Sequence, residues 1–299
     1  MEVSNPDKVL FPSAGITKLQ VVEHYRLVGS AMLRFASRRP LTLQRFPQGI
    51  ERKGFMQKNA AAHFPESIER HLVPKRDGGE TAYPVVTDPG DVAWLANQNT
   101  ITFHMWLTTV DRPSEADWLV IDLDPPEDQV DAVRSAARVV RALLARHDLA
   151  GVPVATGSKG YHVWVPLTPG TTTGAAALAA RALAGLAASE HPDDLTVEFL
   201  KRERRGRVFV DWLRNTPTAT TVVPFSLRAR PGAPVAMPMA WDELEESAPD
   251  RWRLGGVADR LDAVPVPAAQ HLPVDRIVDA ARAAGVDLET PHDRFGRRR

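Results

Sequence analysis

The sequence predicts an α+β fold, with a mixed or antiparallel β-sheet at its centre, helices flanking that sheet and an N-terminal α/β lobe. Three observations predict it. Short apolar runs with two-residue alternation recur through the first two thirds of the chain. Long segments of helical spacing interrupt these runs instead of following every one of them, which is not the pattern of a doubly wound parallel sheet. Tight turn signals at Thr156-Gly157-Ser158-Lys159-Gly160 and Arg202-Glu203-Arg204-Arg205-Gly206 link neighbouring runs and favour hairpins.

Taken in order, Asn5 to Pro12 is a turn-rich entry, and Thr17 is placed to cap a helix over Lys18–Phe35, whose Leu19, Val22, Leu27, Met32 and Leu33 approximate helical period. Arg39-Pro40 closes it. Leu41–Phe46 alternates as a strand, Pro47-Gln48-Gly49 is a turn, and Gly54–Lys58 resumes extended structure. Residues 60–90 are rich in turn formers and charge, with one short strand at Tyr83–Val86. A helix over Asp91–Asn99 and a strand over Thr100–Trp106 follow. Trp118–Asp124 reads as a buried strand that ends in two prolines. Helices over Asp128–His147 and Thr173–Ser189 enclose strands at Val152–Ala155 and Tyr161–Leu167. Strands over Leu195–Lys201 and Arg207–Leu213 come next, and a last amphipathic helix lies near Val274–Ala284. These elements make a single domain over 1–290: an N-terminal part of about 1–110, a core of about 111–245, a C-terminal helical segment of about 246–290, and a basic tail over 291–299.

The composition, 43% hydrophobic and 25% charged, is that of a soluble globular chain. The absence of cysteine excludes disulfides, thiolate-ligated zinc and thiol nucleophiles, and fits a reducing, cytoplasmic setting. No apolar run approaches the ~20 residues of a membrane helix, and the start has no signal-peptide character. Lys plus Arg equals Asp plus Glu at 37 each, so only the distribution of charge informs. Residues 1–60 carry ten Lys or Arg against four acids, and residues 201–230 carry eight against two. Between them, Glu115 to Asp131 holds seven acids and no Lys or Arg. Cations on both sides of an acidic centre suit a polyphosphate or nucleic-acid substrate, although a solvated basic face explains either block alone.

The acidic centre is Trp118-Leu119-Val120-Ile121-Asp122-Leu123-Asp124-Pro125-Pro126. Side chains at i and i+2 share a strand face, so Asp122 and Asp124 point the same way with Cα atoms roughly 6 to 7 Å apart, close enough to bridge hard cations. A polar strand end entering a turn is the plain alternative. Downstream, Gly157-Ser158-Lys159-Gly160 can turn backbone N–H groups and the Lys159 charge onto phosphate, and alternation sends His162 and Trp164 to the face opposite Tyr161 and Val163. Asp211 ends Arg207-Val208-Phe209-Val210-Asp211, where a buried acid needs a metal or cation; a salt bridge to Arg207 or Arg214 also satisfies it. Ser226-Leu227-Arg228-Ala229-Arg230 sets two guanidinium groups in a turn.

In that order, Asp122-Leu123-Asp124-Pro125, Gly157–His162, Val210-Asp211-Trp212-Leu213-Arg214-Asn215 and Ser226–Arg230 resemble the motifs of the polymerase module of bacterial ATP-dependent DNA ligase D, in the archaeo-eukaryotic primase superfamily. The resemblance extends to Asn5–Pro12, Gly15-Ile16-Thr17-Lys18, Phe55–Lys58 and Met237-Pro238 with Trp241–Leu244, and so covers nearly the whole chain. It implies a primase-polymerase fold and a metal-dependent, template-directed nucleotidyltransferase that adds ribonucleotides or deoxyribonucleotides to a DNA primer 3′-OH in nonhomologous end joining. It implies two divalent ions, manganese or magnesium, on Asp122, Asp124 and Asp211. Thr156, Ser158, Lys159, His162 and Arg228 fall where the family holds the incoming nucleotide. Asn5, Lys8 and Lys18 fall where it binds the 5′-phosphate of a gapped or recessed DNA end. Phe55 and His104 fall where it meets template and primer.

Met56, Thr156 and Gln44 depart from the residues common at their positions, which bears on template stacking and ribose contacts. No Lys-x-Asp-Gly adenylation motif and no nuclease-like module are present, so a stand-alone, monomeric polymerase is expected, with a Ku-type end-binding protein and a separate ligase as partners at the nucleoid. Two alternatives remain in view. A catalytically inactive DNA-end-binding module would keep the basic blocks alone. A haloacid dehalogenase-type phosphatase would use Asp122 as nucleophile, but Pro126 stands where that family has Thr or Val.

Overall fold

The structure, a computed structural model, describes residues 1–75, 77–126, 129–262 and 266–289. The predicted basic tail over 291–299 lies outside the described residues. The chain forms two compact units, the first drawn from residues within Met1–Pro113, Thr220–Pro238 and Asp250–Val264, the second from Ser114–Ala219, Met239–Pro249 and Pro265–Arg299.

In the first unit, β1 (Val9–Phe11) and β2 (Ile16–Thr17) pair as a small hairpin that leads into α1 (Lys18–Ala36). The predicted cap is in place: the Thr17 side chain accepts from the Gln20 amide and the Gln20 side chain accepts from the Thr17 amide, a reciprocal arrangement worth about 1 kcal/mol. β3 (Leu41–Arg45) lies between β4 (Phe55–Gln57) and the later strand β7 (Thr100–Met105), and Thr221–Val222 completes this antiparallel sheet beside β7. A second hairpin, β5 (Glu69–Pro74) with β6 (Glu80–Val85), precedes α2 (Pro89–Asn97). β5 was not expected. Its Glu-Arg-His-Leu-Val-Pro sequence exposes most of its side chains and carries no apolar alternation, so it forms through its ladder with β6.

The second unit is built on a mixed sheet in the order β11 (Leu195–Thr196), β12 (Val208–Asp211), β8 (Trp118–Asp124), β10 (Tyr161–Pro166), β9 (Val152–Ala155). Ile121 on β8 and Val210 on β12 meet Leu143 and Leu144 of α3 (Val130–Arg146) and Leu183 of α4 (Thr173–Glu190) in an apolar seam. Successive strand residues alternate faces, so Asp122, Asp124 and Asp211 stand on the face away from those helices. Two expectations are corrected. The strand expected over Leu195–Lys201 stops at Thr196, whose hydroxyl accepts from the Glu198 amide, and Lys201–Glu203 winds into a 3₁₀ turn. β11 and β12 are parallel, not the arms of a hairpin, because the basic turn between them doubles back before β12 begins. The last helix, α5 (Val274–Ala283), packs on α4, where the bare Gly185 admits Val286.

Candidate active site

Three neighbouring strands place one polar residue each in a row. Asp122 on β8 lies directly opposite His162 on β10 and directly opposite Asp211 on β12. One step along, Asp124 lies opposite Phe209. Backbone pairing alone therefore brings together residues far apart in sequence, and the apolar seam beneath fixes their register, since a one-residue slip would turn the acids toward the helices.

The row is mostly buried and held by a defined set of bonds. Trp164 Nε1 donates to His162 Nδ1 (3.4 Å), which leaves His162 Nε2 to face Asp122 Oδ1 at 3.4 Å. Arg214 Nε donates to Asp122 Oδ2 (3.0 Å) and lies 3.5 Å from Asp211 Oδ2. The Leu213 amide donates to Asp211 Oδ1 (2.8 Å). Asn215 clamps this turn to the sheet, accepting from the Val120 amide (2.8 Å) and donating to the Val120 carbonyl (2.7 Å). Asp124 pairs with Arg204, whose Nη1 donates to Oδ2 at 2.8 Å.

The electrostatics follow. Burial would raise the Asp122 carboxyl, but the facing His162 imidazole, the Arg214 charge and the hydrogen bonds from both outweigh it and hold Asp122 well below the usual carboxylate range. Asp211 goes the other way, pushed up to about 6 by burial and by the Asp122 carboxylate opposite. Asp122 in turn raises Arg214 above its ordinary value. Two buried carboxylates facing each other with one cation between them are a site short of positive charge.

The loop before β10 reaches the same end of the sheet as Asp124. Both the amide and the hydroxyl of Thr156 donate to the Gly160 carbonyl (3.1 and 2.7 Å), closing a loop that carries Ser158 and Lys159. Gly157 takes a left-handed φ of 65°. Gly160 must be glycine, since a Cβ there would fall 1.9 Å from the Leu123 carbonyl oxygen.

The remaining predicted residues belong to the first unit. A recess of about 670 Å³ opens beside Asn5, Pro6, Asp7 and Lys8. Lys18 is buried, and its Nζ donates to Ser4 Oγ (2.7 Å). Burial, then Lys8 and Arg45, depress its pKa, so three cations share this corner. Phe55 stands exposed on β4 with the Arg45 guanidinium 5.5 Å from its ring centre. His104 is half-buried on β7 opposite Thr42. Arg228 follows a turn fastened from beneath by His24, whose Nε2 donates to the Phe225 carbonyl (3.0 Å), and by the Tyr25 hydroxyl, which accepts from the Leu227 amide (2.9 Å). Arg214 is one of the two salt-bridge partners that the sequence offered Asp211, and it is the one that lies beside it. Arg204 and Arg45 are the site residues that motif spacing did not single out, and no comparable signal was available for either.

Comparison with known proteins decides the family. Residues 17–267 match the family model described as LigD, primase-polymerase domain. The chain belongs to the LigD primase-polymerase family. It is 34% identical over 265 residues to the multifunctional non-homologous end joining protein LigD of Mycolicibacterium smegmatis, covering 88% of this chain and 35% of that protein. It is 36% identical over 255 residues to the Mycobacterium tuberculosis LigD, covering 82% and 34%. The chain thus spans about a third of the length of these LigD relatives. Among solved structures, the polymerase domain of Mycobacterium tuberculosis ligase D in complex with DNA matches with a TM-score of 0.78 at 32% identity, covering 97% of this chain and 96% of that one. The expected α+β primase-polymerase fold is therefore the fold observed. Among the described residues, no helix is long and apolar enough to cross a membrane.

Proposed function

We propose that this LigD-family chain is a metal-dependent, template-directed nucleotidyltransferase that adds nucleotides, ribonucleotides by preference, to a DNA primer 3′-OH during gap filling and end extension in nonhomologous end joining. The observation that carries the reading is the row His162, Asp122 and Asp211 across three strands with Asp124 beside it, at the sheet end where the Ser158-Lys159 loop lies. The similarity to a polymerase domain in complex with DNA supports it.

The donor set fits divalent magnesium or manganese. Its side chains are hard oxygen ligands, and the raised pKa of Asp211 marks a deficit of positive charge that a cation relieves. Among the described residues, no group of three His, Asp or Glu side chains is arranged around one point, and Arg204 and Arg214 are seated on the carboxylates. Asp122, Asp124 and Asp211 are the residues that would hold the ions. When bound, such ions lower the pKa of an attacking hydroxyl and neutralise charge on the triphosphate.

The chain's own residues supply the rest. Lys159 offers a point charge, and the Ser158 hydroxyl with the turned amides of the loop offers donors for phosphate oxygens. His162, fixed by Trp164 as an Nε2–H donor, keeps Asp122 oriented and ionised. In the first unit, Arg228 presents a guanidinium suited to phosphate, Phe55 an exposed ring for stacking on a base, and His104 a half-buried imidazole on the path we assign to template and primer. The Lys8, Lys18 and Asn5 corner, with Arg45, suits a terminal phosphate dianion of gapped DNA, and a Ku-type protein and a ligase activity would act on the same ends.

The test is extension of gapped DNA with Mn²⁺ or in EDTA, with and without a 5′-phosphate, comparing ribonucleotides with deoxyribonucleotides opposite each templating base. Incorporation that requires the metal and follows the template is the expected result. The arginines seated on the carboxylates favour a second reading, a DNA-end-binding module without catalysis; binding to gapped DNA with no extension under any metal would establish it.

A further inference from the structure

The acids, the phosphate loop and the cationic corner of the first unit leave one motif of the sequence without a role, Trp241–Leu244 in the second unit. Its segment is anchored away from the loop first. Trp241 Nε1 donates to the Gly151 carbonyl at the head of β9 (2.8 Å), and the Arg141 guanidinium of α3 lies 5.0 Å from the centre of the Trp241 ring. The chain then winds into a 3₁₀ turn over Asp242–Glu245, where the Glu243 carboxylate accepts from the Ala240 amide (2.8 Å) and Arg138 of α3 grips Glu245 through two bonds (2.7 and 2.6 Å). From there it returns to the loop between β9 and β10. The Pro249 carbonyl accepts from the Gly157 amide (2.8 Å), and the Ser247 carbonyl accepts from the Tyr161 hydroxyl. These two donors bracket Ser158, Lys159 and Gly160. Tyr161 is 0% exposed and Ser247 1%. A phenol hydroxyl so buried needs an acceptor, and phenylalanine would fill the same space without one.

We infer that Tyr161 is a positioning residue, and Trp241–Pro249 a brace, that together hold the Ser158-Lys159 loop in its nucleotide-binding form, so that affinity for the nucleotide and not the rate of the chemical step depends on them. The inference rests on the reading of that loop as the site of the triphosphate. A short loop with glycine at both ends, Gly157 and Gly160, has little stiffness of its own, and any ordering left to the moment of binding is subtracted from affinity. The brace supplies that order beforehand. Its bonds fall on uncharged groups to either side of Ser158 and Lys159, so they set the shape of the loop without altering its charge. The row of acids is fastened separately, through Arg214 and Asn215, which is why the chemical step is spared.

The experiment is equilibrium titration of the whole chain, on gapped DNA whose primer lacks its 3′-OH, with the template-matched ribonucleoside triphosphate and Mn²⁺, alongside insertion kinetics on ordinary gapped DNA. Tyr161→Phe, which keeps the ring and removes only the hydroxyl, is expected to weaken nucleotide binding about fivefold, what one net hydrogen bond is worth, and to raise KM in step while kcat stays within about twofold. Trp241→Phe, which loses the bond to Gly151 at the other end of the brace, should weaken binding about threefold with the same split between KM and kcat. Val165→Ala, further along the face of β10 that carries Tyr161, removes buried core volume and should cost stability while leaving nucleotide affinity within about twofold. Lys159→Ala tests the underlying reading and should weaken nucleotide binding about tenfold. If Lys159→Ala weakens binding while Tyr161→Phe or Trp241→Phe leaves it unchanged, or if Val165→Ala weakens it as much as Tyr161→Phe does, the inference is overturned. A Lys159→Ala variant that binds nucleotide as the parent does would instead remove the reading of the loop as the triphosphate site, and the inference with it.

Discussion

His24 ties the pH stability of the first unit to the loop that carries Arg228. It is fully buried on α1, its Nε2 donates to the Phe225 carbonyl, and its Nδ1 has no hydrogen-bond partner. Burial lowers its pKa from 6.5 to about 4, opposed by the bond to Phe225. The sign follows directly. Between pH 6.5 and 4 the unfolded chain binds a proton that the folded chain refuses, so stability present above pH 6.5 is lost as the pH falls toward 4. At pH 5 the loss relative to pH 7.5 is about 2 kcal/mol, and its limit is about 3 kcal/mol. The consequence reaches Arg228 because Phe225 sits at a left-handed φ of 68°, a strained turn that the His24 bond helps to hold. The assay is urea unfolding at pH 7.5 and pH 5.0 for the parent and for His24→Gln, which keeps an N–H donor without a titrating ring. The parent should lose about 2 kcal/mol more than the variant between the two conditions. Equal losses would refute the reasoning.

Other predictions concern single positions. Gly160→Ala drives a Cβ into the Leu123 carbonyl across the β8–β10 pair; it should cost several kcal/mol by thermal melting, about 3 or more, and abolish extension. Thr17→Ala removes one arm of the α1 capping box and should cost about 1 kcal/mol with no effect on nucleotide affinity. Lys18→Met replaces a buried cation whose pKa is already depressed; gapped DNA with and without a 5′-phosphate should then bind alike in an equilibrium assay, and a surviving preference contradicts the phosphate role. Asn215→Ala loses three bonds that fasten the Arg214 turn to Val120 and Trp212; a loss of about 2 kcal/mol in unfolding free energy is expected, with weakened extension.

Legibility in the sequence tracked the range of the interaction that decides each feature. The Asp122/Asp124 pairing on one face and the Thr17 cap are local, set by two-residue alternation and by a three-residue spacing, and both stand as read. The convergence of Asp211 on Asp122 was suggested by an acid at the end of an apolar strand, which needs a partner wherever it folds. Its actual partners include Arg214, the salt bridge that the same residues left open. What could not be read is set by the tertiary fold. Arg204 lies in a run of five charged residues in which no single arginine is distinguishable, and only the ladder that puts Phe209 opposite Asp124 selects it. The parallel pairing of β11 with β12 and the polar strand β5 were missed for the same reason: backbone pairing, not side-chain pattern, creates them.

The most direct test of the account is single-nucleotide insertion into gapped DNA by Asp122→Ala and Asp211→Ala, with DNA binding measured on the same samples. Insertion should fall at least about 10³-fold in both variants, as expected when the ligands of catalytic ions are removed, while DNA binding stays within about twofold. Insertion at an undiminished rate by either variant would contradict it.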